Sequence, residues 1–385
     1  MAAIAVPRLI SVGAKAIDEL PLALSRLGLS RPAIITDQNL AKIGHLDRLL
    51  GVLATAKVTP AVFTKAICDP TVASVNEAVA FLKGGNYDCV IALGGGSPID
   101  TAKAASVLAK RGGTMRERKA PHLEDTPALP LVAIPTTAGT GAETTKFTII
   151  TDPDKDEKML CIGLAYLPSI AIIDYELTFT KPRRLTADTG IDALVHAMEA
   201  YVSKKANPFS DAIALAAMAS IWPNLRTACD QPDNAAAREK MALGALQAGI
   251  AFTNSSVALV HGMSRPIGAH FHVAHGLSNA MLLPVVTAWS ATAATARYAD
   301  CARAMGVAKS GDKDEAAVAR LVDDLRQINQ LLEVPSPKRY GIDEKRWTQL
   351  LPLMAEQAIG SGSPGNNPRV PDADTIQELY RQAWV

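Results

Sequence analysis

Residues 190–201 read GIDALVHAMEAY, an apolar run of helix formers that nevertheless holds Asp192 and His196. Four residues apart on a helix, the two side chains share one face. A carboxylate is rarely buried without a partner. Of the seven histidines, five fall between 196 and 275, at His196, His261, His270, His272 and His275; the others are His45 and His122. His261 falls at a helix end, and His275 follows fourteen residues later, before a glycine that opens the next helix. Three imidazoles and one carboxylate suit a divalent first-row ion, Fe2+ or Zn2+ first among them. Calcium or magnesium would want more oxygen. The competing reading is that these histidines cap helices or pack in a core.

A second kind of chemistry is written in two loops. DCVIALGGGSPIDTAK (88–103) reads as strand, glycine turn and helix. Gly94, Gly95 and Gly96 let a ligand approach the backbone, and the helix start behind Ser97 favours an anion such as a pyrophosphate. The spacing is neither GxGxxG nor a P-loop, so glycines serving only a tight turn remain the alternative. IPTTAGTGAETT (134–145) follows another strand and offers Thr136, Thr137, Thr140, Thr144 and Thr145. Such hydroxyls suit a ribose or phosphate, or a polar turn. Asp37 ends the strand PAIITD. A carboxylate there accepts from ribose hydroxyls and repels a 2′-phosphate, which favours NAD over NADP, unless it is an ordinary helix cap.

The elements that must carry these residues fall into two halves. Up to about residue 182, β-rich runs (32–37, 61–64, 88–96, 131–137, 147–151, 170–175) alternate with helical patterns such as 70–85. That alternation predicts a parallel sheet with right-handed crossovers. Beyond it the pattern is helical: 183–203, 208–229, 234–263, 275–295, 297–306 and 313–332, then a loop at 361–374 and a short helix. The division is an α/β domain over 1–182 and an all-α domain over 183–385, as expected for 385 residues. The formal net charge of +1 argues against nucleic acid or an anionic membrane as partner. No apolar stretch reaches the roughly 18 residues of a membrane span. Five widely spaced cysteines without a CxxC, and no signal-like N-terminus, fit a reducing cytoplasm.

Taken together, GGGSPIDTAK, PTTAGTGAE, GIDALVHAMEAY, HGM and HGLSNAMLLP, with NNPRVP (366–371) near the end, resemble the iron-containing alcohol dehydrogenase family over nearly the whole chain. The resemblance implies a Rossmann-like, dehydroquinate synthase-like α/β domain followed by an all-α metal-binding domain. It implies metal ligands at Asp192, His196, His261 and His275. It places NAD against Asp37, Asp69, Gly95, Gly96, Ser97, Asp100, Thr136, Thr137, Thr140, Thr145 and Lys158. The activity implied is hydride transfer between a primary alcohol and NAD, with the metal as Lewis acid. The resemblance also implies a small-molecule alcohol or aldehyde as substrate and a homodimer or larger homo-oligomer. Hydride transfer needs reacting atoms about 3 to 3.5 Å apart, for which a cleft between the domains is the natural place.

Three departures stand out. Arg265 replaces a histidine common in the family four residues after His261, and a guanidinium there suits an anionic substrate end, as in a hydroxy acid or semialdehyde. A structural salt bridge is the alternative. His270 and His272 inherit no role, although His270 is a candidate proton relay. Ala274 stands where a proline is common. Two rival functions share the architecture: a dehydroquinate synthase-like lyase, and a non-enzymatic NAD-binding module. The first needs a cluster of basic residues that the helical half lacks.

Overall fold

The computed structural model describes residues 2–155 and 157–385. They divide into two compact units, Ile4–Thr180 and Lys181–Val385, the latter joined by Ala2 and Ala3. The first unit holds strands β1 (Leu9–Gly13), β2 (Pro32–Ile35), β3 (Ala61–Phe63), β4 (Cys89–Gly94), β5 (Leu131–Pro135), β6 (Phe147–Asp152), β7 (Glu157–Ile162) and β8 (Ile170–Asp174). Its helices are α1 (Leu20–Arg26), α2 (Gln38–Lys42), α3 (His45–Thr55), α4 (Val72–Lys83) and α5 (Gly96–Arg111).

Six strands form one parallel sheet in the order β1-β8-β5-β4-β2-β3. Its inner strands are buried on both faces, which is why they read as unbroken Val, Ile, Leu and Ala. Ile34, Ile91, Val132 and Ile172 pack with Leu20, Leu49 and Leu53 on one face. Their neighbours Ile35, Val90, Ala92 and Ala133 pack with Ala78, Ile99 and Ala105 on the other. After β2 and β3 the chain returns to the other side of β2 to lay down β4 and then β5. The carboxyl ends of β2 and β4 therefore flank a topological switch point, the usual ligand crevice of such sheets.

One expectation changes here, and two further strands appear. The run at 147–151 is a strand but stands outside the parallel sheet: β6 pairs antiparallel with β7 as a separate ribbon. β1 and β7 carry weak signals. LISVG has a serine and a glycine, and EKMLCI mixes charge with helix formers. Partners across the strand decide both.

The second unit is helical: α6 (Arg183–Val202), α7 (Pro208–Asp230), α8 (Ala235–Thr253), α9 (Leu259–Phe271), α10 (His275–Ser290), α11 (Thr295–Ala304), α12 (Asp314–Leu331), α13 (Pro337–Tyr340), α14 (Glu344–Gly360) and α15 (Ala373–Ala383). The single helix expected over 234–263 is two. Asn254 ends α8, its amide donating back to Ile250 O at 2.9 Å. His261 therefore lies in the first turn of α9 rather than at the end of a long helix. The helix α14 was not anticipated, because Pro352 interrupts its pattern. No helix among the described residues is long and apolar enough to cross a membrane.

One glycine sets the spacing on which the site depends. A Cβ at Gly276 would stand 2.4 Å from Asp188 O and 3.3 Å from the Cβ of Asp192. Helix α10 thus meets the α6 backbone with no room for a methyl. Gly276→Ala is expected to cost about 1–3 kcal/mol by forcing the helices apart. A denaturation midpoint equal to that of the parent would contradict the contact.

Candidate metal centre and nucleotide loops

Helix α6 is buried almost all round, and its polar residues point at one another's partners. Asp192 and His196 rise from it one turn apart; His261 comes from the first turn of α9 and His275 opens α10. Each offers a donor atom, and the four atoms lie within 4.8 Å of one another. Asp192 Oδ1 is 3.7 Å from His261 Nε2 and 3.6 Å from His275 Nε2; its Oδ2 is 3.9 Å from His196 Nδ1. Four atoms set tetrahedrally about 2.1 Å from one centre stand about 3.4 Å apart. The spacing is that of a metal cage with slight expansion. Among the described residues no other group of three or more His, Cys, Asp or Glu converges in this way.

Electrostatics favour a cation. Burial pushes the Asp192 carboxyl up, with His275 and Asn279 pulling it back. Burial and the neighbouring charges of His196 and Arg265 hold His261 well below the ordinary imidazole value, so it is neutral. Nδ1 of His261 faces Glu199 Oε2 at 2.7 Å. We assign the ring proton to Nδ1, which leaves the Nε2 lone pair turned towards Asp192 and His275. His275 is the exposed member, its side chain 41% accessible, and gives the cage its solvent-facing side.

Two residues that the spacing analysis passed over complete the surroundings. Glu199 lies on the face of α6 that carries Asp192 and His196, three residues beyond the latter. Its carboxylate accepts from Ala258 N at 2.8 Å, Val260 N at 2.6 Å and His261 Nδ1. Ala258 caps α9 without a side-chain acceptor, so Glu199 performs that task from another helix while holding the imidazole. Burial pushes Glu199 up to about 7, and the amides of Ala258 and Val260 oppose it. Asn279, one turn after His275, donates to Asp192 Oδ1 at 2.7 Å and fixes that carboxylate. The i, i+3 and i, i+4 spacings put both on the ligand-bearing faces, but their partners lie on other helices.

Arg265 sits one turn beyond His261, partly buried. It makes no hydrogen bond or ion pair with any described residue, so the expected alternative of a salt bridge is not found. His270 Nε2 lies 2.8 Å from Gln357 Oε1 and ties α9 to α14. His272 ends α9 in the left-handed region, exposed, and Ala274 caps α10 without a side-chain bond. The outlying His45 contacts Thr180 Oγ1 at 3.0 Å.

In the first unit, Asp37, the glycine turn and Thr136 follow β2, β4 and β5, which are adjacent and parallel. Asp37 caps α2 by accepting from Leu40 N at 2.9 Å, and Leu40 Cδ1 lies 3.2 Å from where a Cβ on Gly94 would stand. Cβ atoms on Gly95 and Gly96 would meet Thr137 and Thr140 at 3.4 Å and 3.1 Å, so the two loops close on each other. Asp69, at φ 49°, receives the Lys158 ammonium at 3.0 Å and donates its N–H to Ser97 Oγ at 3.3 Å. Oγ1 of Thr136 and Oγ1 of Thr137 are buried without a partner among the described residues.

Asp100 and Thr145 are tied into the scaffold: Asp100 Oδ2 accepts from Ile149 N at 3.2 Å. Lys103, a buried cation the sequence reading left out, donates to Thr145 O, Thr145 Oγ1 and Phe147 O at 2.8 Å each. Burial pulls its ammonium down while Asp100 and Glu143 oppose.

Comparison with known proteins gives one answer for both units. Residues 7–175 match the family model "iron-containing alcohol dehydrogenase", and residues 186–384 match the C-terminal model of the same family. The chain is 36% identical to the NAD-dependent methanol dehydrogenase of Bacillus methanolicus, over 97% of each chain. It is 34% identical to the lactaldehyde reductase of Escherichia coli K12, again over 97% of each. The crystal structure of a 1,3-propanediol oxidoreductase superposes with a TM-score of 0.95 at 33% identity, covering 100% of both chains. These relatives are named as oxidoreductases, which leaves the lyase and the binding-module readings without support. The chain belongs to the iron-containing alcohol dehydrogenase family and is an alcohol oxidoreductase.

Proposed function

We propose that this protein interconverts a small primary alcohol and its aldehyde with NAD, using one divalent ion held by Asp192, His196, His261 and His275. The observation that carries the reading is the convergence of those four donor atoms. Fe2+ and Zn2+ both suit the donor set. The ion, when bound, supplies Lewis acidity towards the substrate oxygen at the exposed His275 side. The reaction moves a hydride between the carbinol carbon and C4 of the nicotinamide, and a proton passes to solvent.

The first unit serves the dinucleotide. Gly95 and Gly96 admit its phosphates, the orphaned hydroxyls of Thr136 and Thr137 supply hydrogen bonds, and the free edge of Asp37 receives the ribose diol. Asp69, Ser97 and Lys158 form one linked polar group beside the turn, while Thr140, Asp100 and Thr145 hold the loops in shape. Glu199 and Asn279 are positioning residues: the first sets the His261 tautomer, the second orients Asp192. We further propose a cytoplasmic homo-oligomer, in keeping with five free cysteines.

The direct test is absorbance at the NADH band when metal-loaded protein meets NAD+ and short alcohols; no alcohol-dependent signal with Fe2+ or Zn2+ would end the proposal. His261→Ala and His275→Ala are expected to lose metal and turnover while still binding NAD+ by calorimetry. Glu199→Gln keeps the shape but weakens the acceptor on His261 Nδ1, and metal affinity should fall about 10- to 100-fold. Unchanged affinity in a chelator competition would remove Glu199 from the account. Asp37→Asn retains the helix cap but not the charge. The ratio of kcat/KM for NAD+ over NADP+ should then drop about tenfold or more; a constant ratio would move ribose recognition elsewhere.

A further inference from the structure

We propose that Arg265 docks a carboxylate at the far end of the substrate, which makes short aldehyde-acids and hydroxy-acids the preferred class for this site. The inference rests on the metal-site reading above and adds what the substrate carries beyond its reacting oxygen.

Three observations converge. Arg265 projects from α9 one turn after His261, so it shares the face of a cage residue. It is partly buried, yet no described residue accepts from it. Comparable arginines are engaged. Arg238 donates to Pro232 O and Thr186 Oγ1, and Arg184 to Leu332 O and Asp188. The third observation is charge. Glu199 is the acid whose field reaches Arg265, but its oxygens are taken by Ala258 N, Val260 N and His261 Nδ1. Among the described residues no carboxylate pairs with the guanidinium.

A lone guanidinium beside a dipositive ion is repelled by it in a partly desolvated place. An anion arriving with the substrate relieves that repulsion and fits the planar fork with two parallel hydrogen bonds. One helical turn separates the residues by about 6 Å along the axis. That span suits a substrate about four carbons long, its aldehyde and carboxylate carbons included, as in succinic semialdehyde. The phosphates of the dinucleotide are the other anion in reach of such chemistry, and the test must tell them apart.

The experiment compares succinic semialdehyde with butanal, equal in length, using metal-loaded protein and NADH. The parent is expected to favour the semialdehyde in kcat/KM by about ten- to hundredfold, the value of a charged hydrogen bond. Arg265→Gln should collapse that ratio at least tenfold, mainly through KM for the semialdehyde. Arg265→Lys, which keeps the charge without the fork, should fall between. In parallel, calorimetry of succinate binding to metal-loaded protein needs no turnover; affinity should drop at least tenfold in Arg265→Gln. A ratio near one in the parent, or a ratio unmoved by either variant, overturns the proposal. So does a rise confined to KM for NADH, which would put the guanidinium on the cofactor. Arginine-dependent succinate binding without turnover of either aldehyde would instead sink the dehydrogenase reading and leave this one standing.

Discussion

An ionisable carboxyl inside an apolar helix is the constraint from which the helical unit is built. Asp192 is 2% exposed, with histidines from three helices around it. Desolvation alone would drive such an acid to its neutral form. A cation shared among the four resolves the problem, because each donor then faces charge instead of hydrocarbon. The burial of α6, the glycine contact with α10 and the break between α8 and α9 all serve to bring the four donors to one point.

The outer ring shows how the protein keeps that point rigid without the ion's help. Glu199 does two tasks with one carboxylate: it caps α9, and it sets the proton on His261. The position of the imidazole is thereby coupled to the start of its own helix. Asn279 does the same for Asp192 from α10. A ligand set held on buried helices and locked by buried hydrogen bonds loses little order when a metal enters. In the other unit Lys103 plays the matching part, fastening the threonine loop at Thr145 and Phe147.

Much of this was legible in the sequence, for reasons that differ by element. The central strands were plain because strands buried on both faces must be continuously apolar. The four cage residues were plain because polar groups in apolar helices announce themselves, and family motifs in the right order sharpened the reading. Glu199 was in view within the very stretch that held Asp192 and His196, but its partner amides lie on α9, about sixty positions on. Long-range backbone contacts leave no local pattern. The same holds for β1, visible only once β8 is beside it, and for β7, which has meaning only against β6. The merged helix at 234–263 failed for an opposite reason: the local propensity is high, and Asn254 with Glu199 overrides it.

The central claim is that one ion sits among a carboxylate and three imidazoles. X-ray absorption at the metal edge of protein loaded with Fe2+ or Zn2+ addresses it directly. The account predicts one tightly held ion per chain, with nitrogen and oxygen neighbours at about 2.0–2.2 Å and multiple scattering from three imidazole rings. Sulfur in the first coordination shell, fewer than three imidazoles, or an ion bound only through water would contradict it.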